Sequence, residues 1–144
     1  MIKRLAGIEN ELFKNAKKYI IENSEYSPFV ISNFISQAEV FPIVIIEETD
    51  DSLSEETLSL GEQKLDLTYE IEIYAMDKVV NGKKIARQVI IDELKNIIND
   101  VFENQYGFTR MTSTPRQNID LDVSRFYMRF EGVYDTVNKK IFRR

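Results

Sequence analysis

The segment KLDLTYEIEIYAM, residues 64–76, decides the fold, because apolar and polar side chains alternate along it. A period of two is typical of a β-strand with one buried and one solvent-facing side. The predicted apolar side carries Leu65, Leu67, Tyr69, Ile71, Ile73 and Ala75, and the other side carries Asp66, Thr68, Glu70, Glu72 and Tyr74. We therefore predict a sheet that packs one face on a core.

Three further strands are predicted around this one. Val40–Glu48 is an apolar, β-branched run, and Pro42 fits its start because proline lacks a backbone donor. Phe108–Thr114 reads as a short strand, and Leu121–Tyr134 as a long one with alternating side chains. A turn is predicted between these two, at Pro115–Asp120. The hydrophobic pattern of residues 29–37 favours no assignment.

Two amphipathic helices complete the prediction. Apolar residues recur at helical spacing over residues 2–22. A second helix is predicted to follow Asn81 and Gly82 and to run to about Glu103, with Ile85 as the first member of its apolar stripe. Gly107 lies just past it, where a helix commonly ends. The order α–β–β–α–β–β predicts one α+β domain over residues 1–144, with a mainly antiparallel four-stranded sheet and two long helices packed on one face.

Composition excludes several classes of protein. Hydrophobic residues make up 43% of the 144 residues and charged residues 30%, as in soluble globular domains. There is no run long enough to span a bilayer and no signal-peptide pattern, and the absence of cysteine fits synthesis and assembly in a reducing cytoplasm. The chain has no cysteine and no histidine, which rules out disulfides, thiolate metal ligands and the usual neutral-pH general base.

The net charge of −5 is unevenly distributed. A segment over residues 47–63, predicted to be a solvated loop or an extended hairpin arm, holds seven carboxylates and no base: Glu47, Glu48, Asp50, Asp51, Glu55, Glu56 and Glu62. The rest of the chain keeps 17 of the 24 acids against 19 bases. A basic tail over residues 139–144 carries Lys139, Lys140, Arg143 and Arg144.

The acidic segment supplies oxygen donors for a divalent cation but lacks the glycine-centred spacing of a calcium loop, so a solvated or partner-facing segment is favoured. The carboxylate pairs Asp120/Asp122 and Glu70/Glu72 are of the kind used by metal-dependent hydrolases. Neither pair is accompanied by a histidine, a cysteine or a phosphate loop. Since alternate strand residues share a face, such pairs also arise on the wet side of a sheet, and we predict no catalytic, cofactor or metal site.

Two basic features have more than one interpretation. Arg125 and Arg129 could contact nucleic acid, but cross-strand ion pairs with Glu70 and Glu72 are favoured if the two strands are neighbours. The basic tail is either a solvated terminus or an arm that docks on the acidic segment of a neighbouring copy. The second alternative gives a head-to-tail contact, which closes into a ring when the rotation permits.

Five segments together resemble the tail terminator, or tail completion, proteins of long-tailed phages, prophages and the phage-tail-like bacteriocins of Gram-positive bacteria. They are FPIVIIEE (41–48), YEIEIYAMD (69–77), KKIARQVIIDELKNIINDVF (83–102), YGFTR (106–110) and LDVSRFYMRFEGVYD (121–135). The resemblance covers roughly residues 38–136. The family positions matched are scaffold positions, none of them catalytic: Phe41, Pro42, Tyr69 to Tyr74, Gly107, Phe108 and Arg125 to Gly132.

The resemblance implies a hexameric ring that caps the tail tube, ends its polymerisation and offers a surface to the head or neck. It also implies assembly in the cytoplasm of the bacterial host, as a component of the virion or tail-like particle. The implied partners are further copies of the chain, the tube protein, the terminal sheath ring of a contractile tail and neck or connector proteins. DNA would pass through the ring of a phage, without sequence-specific binding. The alternatives are a neck or connector subunit of the same kind of particle, a small metal-dependent enzyme using Asp120/Asp122 or Glu70/Glu72, and a regulatory binding module, which would be expected to carry a compact basic groove.

Overall fold

The computed structural model describes residues 6–32, 40–53, 64–117, 121–135 and 140–142. Within these residues the fold is α+β and mainly antiparallel, as predicted. The helices are α1 (Ala6–Asn23) and α2 (Arg87–Asn99), the second continued by a π-helical turn, Asp100–Gln105. The strands are β1 (Phe29–Ile31), β2 (Ile43–Leu53), β3 (Lys64–Ala75), β4 (Lys78–Val80), β5 (Lys83–Ile85), β6 (Thr109–Arg116), β7 (Ser124–Asp135) and β8 (Lys140–Phe142).

The main sheet has six strands, not the four predicted. Its path is β1-β2-β3-β7-β6, and β8 pairs with the far end of β7 on the same side as β6. β1 lies parallel to β2, while every other pairing in this sheet is antiparallel. β1 and β8 are three residues long each, too short to show a hydrophobic period, so pattern reading gives them no signal.

The core lies between the two helices and one face of this sheet. β3 contributes Tyr69, Ile71 and Ile73, all at most 1% exposed, so the apolar side of segment 64–76 is the buried one, as its alternation predicts. The helices contribute the buried side chains of Leu12, Ala16, Ile20, Ile90, Leu94 and Ile98. Burial of each large side chain stabilises the fold by about 1.5–3 kcal/mol relative to its exposure.

The predicted start of the second helix is wrong. Lys78–Val80 and Lys83–Ile85 instead form a two-stranded antiparallel hairpin, and Asn81 and Gly82 form its turn, with φ of 52° and 78°. Two successive positive φ angles fit a type I′ turn, for which Asn-Gly is the preferred pair. Helix α2 therefore begins only at Arg87, where Asp77 Oδ1 accepts a hydrogen bond from the Arg87 N–H at 2.9 Å.

The end of the second helix is close to the prediction but not α-helical throughout. The last turn is widened to a π-turn, in which the Tyr106 N–H donates to the Val101 carbonyl at 3.1 Å. Gly107 then stops the helix with φ of 81° and donates to the Glu103 carbonyl at 3.1 Å. This wider turn carries the fully buried Phe102 into the core.

Three further boundaries differ from the predicted ones. β6 runs through Pro115 to Arg116, where a turn was predicted; an edge strand tolerates proline. β7 begins at Ser124 and not at Leu121, whose side chain is 87% exposed. β2 continues to Leu53, so residues 47–53 of the predicted acidic segment are strand, paired with β3 as a hairpin arm. Residues 54–63, with Glu55, Glu56 and Glu62, lie outside the described residues.

Candidate interaction surface

The second face of the main sheet, turned away from the helices, carries an interlocked set of charged and tyrosine side chains. β3 supplies Glu70, Glu72 and Tyr74 to this face. β7 places Arg129 opposite Glu70 and Tyr127 opposite Glu72. Because β7 alternates as β3 does, its polar residues are brought to the same face as the carboxylates. We call this set of side chains the polar face.

The contacts on the polar face tie β3 to β7. Arg125 forms an ion pair with Glu72, and the Tyr74 hydroxyl donates to Glu72 Oε2 at 3.0 Å. The Tyr127 hydroxyl donates to Glu70. Both arginine and carboxylate of the ion pair are partly shielded, with side chains 29% and 22% exposed. Each carboxylate therefore has a donor from the polar face itself.

Two arginines also stack on the tyrosine rings. The Arg116 guanidinium carbon of β6 lies 4.1 Å from the centre of the Tyr127 ring, and that of Arg125 lies 5.4 Å from the Tyr74 ring. Such cation–π contacts each stabilise by about 0.5–1 kcal/mol at exposed sites. The contacts extend the polar face across β6, β7 and β3, and they line a shallow groove of about 530 Å³.

The two tyrosines of the polar face, Tyr74 and Tyr127, have raised pKa values. Burial, the hydrogen bond to Glu72 and the charge of Glu72 raise the pKa of Tyr74 to about 12. Burial and the same two effects from Glu70 raise the pKa of Tyr127 to about 12. Both tyrosines are therefore neutral hydrogen-bond donors at physiological pH and are not set up as nucleophiles or bases.

The structure brings together some of the sequence-predicted residues and separates others. Arg125 contacts Glu72, one of the ion pairs expected across β3 and β7. Arg129 lies opposite Glu70 in the strand register, but its Nε is 3.8 Å from Glu131 Oε2 on its own strand. Glu70 instead accepts the Tyr127 hydroxyl. The Glu70/Glu72 pair is thus engaged by Tyr127 and Arg125 within the sheet.

The polar face also has members that sequence reasoning missed. Tyr74, Tyr127 and Arg116 were not predicted as part of any site. A signal for two of them was present, because Tyr74 continues the alternate series of Glu70 and Glu72, and Tyr127 lies between Arg125 and Arg129 in the same series on β7. Arg116 had no such signal, since its position was assigned to a turn.

Among the described residues, no group of three or more acidic, cysteine or histidine side chains is placed to hold a metal ion. Asp122 lies in the exposed segment before β7, and its backbone carbonyl accepts a hydrogen bond from Arg87 Nη1 at 2.7 Å. Asp120 lies outside the described residues. The contacts of the polar face connect β3 with β7, and its carboxylates accept hydrogen bonds from side chains of the same chain.

The acidic and basic segments lie on opposite edges of the main sheet. Glu47, Glu48, Asp50 and Asp51 belong to β2, where Glu47 is exposed and Glu48 is half-buried against the Tyr69 hydroxyl, 3.4 Å away. Lys140 belongs to β8, on the far side of β7. Lys139, Arg143 and Arg144 lie outside the described residues. Part of the predicted docking arm is therefore a strand of the chain's own sheet.

The sequence matches no protein-family model, and no curated protein is significantly similar to it. None of the described helices has the length and apolar character needed to cross a membrane.

Proposed function

We propose that the chain is a structural subunit of a phage or phage-tail-like particle, forming a ring that caps the tail tube and ends its polymerisation. The ring would be hexameric, as the resemblance implies, with its second side available to the head, neck or collar. The observation that carries the proposal is the placement of the five resembling segments. They fall on β2, on β3, on β5 with α2, on the glycine stop with the start of β6, and on β7.

This placement supports a scaffold role because the segments form the centre of the molecule. β3 and β7 pair over their entire lengths, from Lys64 opposite Asp135 to Ala75 opposite Ser124. α2 lies on β3 and β7, and its buried side chains belong to the same core. The charged groups of the polar face are engaged with one another, which fits a rigid building block whose function lies in its surfaces.

The decisive experiment is removal of the gene from the particle's own gene cluster. We expect tails of variable, excessive length, because tube protein would continue to add to an uncapped end. Supplying the chain from a plasmid should restore uniform length. In vitro, the purified chain mixed with purified tube protein should give sixfold rings at one end of the tubes in electron micrographs. Tails of normal, uniform length without the gene would contradict the proposal.

The same preparation separates this proposal from that of a neck or connector subunit. A terminator should bind the ends of tail tubes that have no head attached. A connector subunit should instead remain with purified heads and be missing from free tails. Antibody labelling of heads and of free tails distinguishes the two roles.

A further inference from the structure

The two edges of the main sheet are chemically opposite. One edge, which we call the acidic edge, is β2 over residues 47–53, with four carboxylates and no base. The other, the basic edge, is β6, whose charged residues are Arg110, which lies 3.5 Å from Glu103 Oε1, and Arg116, which is stacked on Tyr127. Below it on the same side of β7 is β8, which adds Lys140. Each edge of a sheet presents backbone donors and acceptors that another strand can pair with.

Both edges are open within the part of the chain that the structure describes. The pairing of β1 with the outer side of β2 ends at Ile31 opposite Ile45, so no described strand pairs with that side of β2 from Ile46 onward. β6 pairs with β7 on its inner side alone. No other strand among the described residues pairs with β6.

The strand directions of the two edges fit one another. β2 runs antiparallel to β3, β3 antiparallel to β7, and β7 antiparallel to β6. Translating one copy sideways therefore places β6 beside β2 of the next copy in antiparallel orientation. An antiparallel pair forms hydrogen bonds perpendicular to the strands, in alternating closely and widely spaced pairs.

The charges of the two edges favour a contact between an acidic and a basic edge over a contact between two like edges. Two acidic edges repel each other, and so do two basic edges, so that two-fold contacts between like edges are disfavoured. An acidic edge against a basic edge is attractive, and it sets orientation and encounter rate. A contact between two different patches is heterologous, and it is repeated by every further copy until a ring closes.

We propose that β6 of one copy pairs with β2 of the next, beyond Ile45, and so joins the sheets of neighbouring copies. The proposal rests on the proposed ring and specifies its subunit contact. The position of β1 also determines how far the neighbouring copy must be displaced along the strand direction. Phe29, Ile43, Tyr74, Arg125 and Arg116 lie level across the five strands. A level neighbour would therefore bring β6 against β1.

The neighbour must be shifted along the strands until β1 clears the end of β6 at Arg116. A shift of at least three residues, about 10 Å, achieves this and brings β6 against residues 47–53. A staggered contact of this kind closes into a ring when the strands are inclined to the ring axis, as they are in β-barrels. The inferred ring is thus one in which the strands are tilted.

Cysteine cross-linking tests this contact, since the natural chain has no cysteine. Thr112→Cys on β6 is combined in turn with Asp50→Cys, Asp51→Cys or Ser52→Cys on β2. Within one chain these positions are three strands apart, about 14 Å, too far for a disulfide. Any disulfide between the two edges therefore joins two copies. After mild oxidation we expect at least one of the three variants to give a ladder of cross-linked species above the dimer on a non-reducing gel.

The single-cysteine variants are the matched controls, because one cysteine per chain can give nothing beyond a dimer. A second control combines Thr112→Cys with Val79→Cys, which lies off the main sheet and is 69% exposed. A ladder from the edge pairs alone supports the contact. Absence of species above the dimer from all three edge pairs overturns it. If ladders form but tail length does not depend on the gene, the contact stands and the terminator function fails.

Discussion

Single side chains determine how firmly the helical layer is held on the sheet. Phe102, fully buried in the π-turn, is stacked on Phe130 of β7 with ring centres 5.0 Å apart. It also lies 5.8 Å from Tyr69 of β3 and 5.8 Å from Phe108, the residue just before β6. One ring thus contacts the centre of the sheet and the connection that leads to its edge.

Phe102→Ala should destabilise the chain by about 3–5 kcal/mol, since it removes the ring and leaves a cavity between three aromatic neighbours. Denaturant unfolding monitored by circular dichroism measures the change. Val89→Ala is the matched control, because Val89 is in α2 but 51% exposed; its effect should stay within about 0.5 kcal/mol. Equal losses in the two variants would show that the aromatic cluster is not a centre of packing.

The polar face gives a prediction about pH. The pKa of folded Tyr74, about 12, lies above that of an unfolded tyrosine, about 10, because the folded state disfavours the phenolate. Its stabilising contribution is therefore complete below about pH 10 and is lost as the pH rises through about 12. Glu72→Gln removes the carboxylate next to the phenol and should lower the pKa of Tyr74, with burial still holding it above the ordinary value.

Phenolate absorbance during an alkaline titration measures this shift, and Tyr74→Phe identifies the signal. Glu70→Gln is the matched variant: it should lower the pKa of Tyr127 and leave that of Tyr74 in place. A titration curve of Glu72→Gln identical to that of the natural chain would contradict the assigned contact.

At the scale of elements, the β4–β5 hairpin sets where α2 begins. Gly82 has φ of 78°, and a β-carbon added there would meet no atom within 4 Å. The cost of Gly82→Ala is therefore conformational and not steric, about 1–2 kcal/mol. Gly82→Asn should lose less, since asparagine tolerates this conformation better. Urea unfolding compares the two variants, and an alanine variant as stable as the natural chain would be inconsistent with the turn.

The elements with a long hydrophobic period could be predicted from sequence. Segment 64–76 and the last long strand alternate over many residues, and their pairing follows from that pattern. The start of α2 could not be found in this way, because Ile85 fits both the helical stripe and the hairpin strand. The pair Asn81-Gly82 is itself a signal for a hairpin turn, but it also fits the loop that precedes a helix, as predicted from the sequence. The three-residue strands are too short to show a hydrophobic period.

The same distinction applies to the candidate site. Glu72 and Arg125 lie on the same face of the sheet, and this follows from the alternation of side chains along each strand. Which carboxylate each arginine contacts depends on strand register and on the tyrosines between them, and neither is encoded in a single strand. Arg129 is the example, since it lies opposite Glu70 yet contacts Glu131.

For the whole molecule, assembly through oppositely charged edges should weaken with salt. The screening length falls from about 10 Å at 0.1 M salt to about 3 Å at 1 M. We expect the oligomeric fraction in sedimentation velocity to decrease over this range. Arg110→Gln combined with Arg116→Gln should weaken assembly at low salt and make it less sensitive to salt. An oligomeric fraction that increases with salt would indicate an apolar contact instead.

The chemical difference between the acidic edge and the basic edge has a further consequence, which polymer chemistry describes. In the proposed assembly each subunit is a bifunctional monomer, and growth stops only when the two ends of one short series of subunits meet. A subunit with one edge disabled still joins through the other and acts as a chain stopper. Co-expressed with the natural chain, an acidic-edge variant should therefore be dominant, because one such copy is enough to leave a ring open.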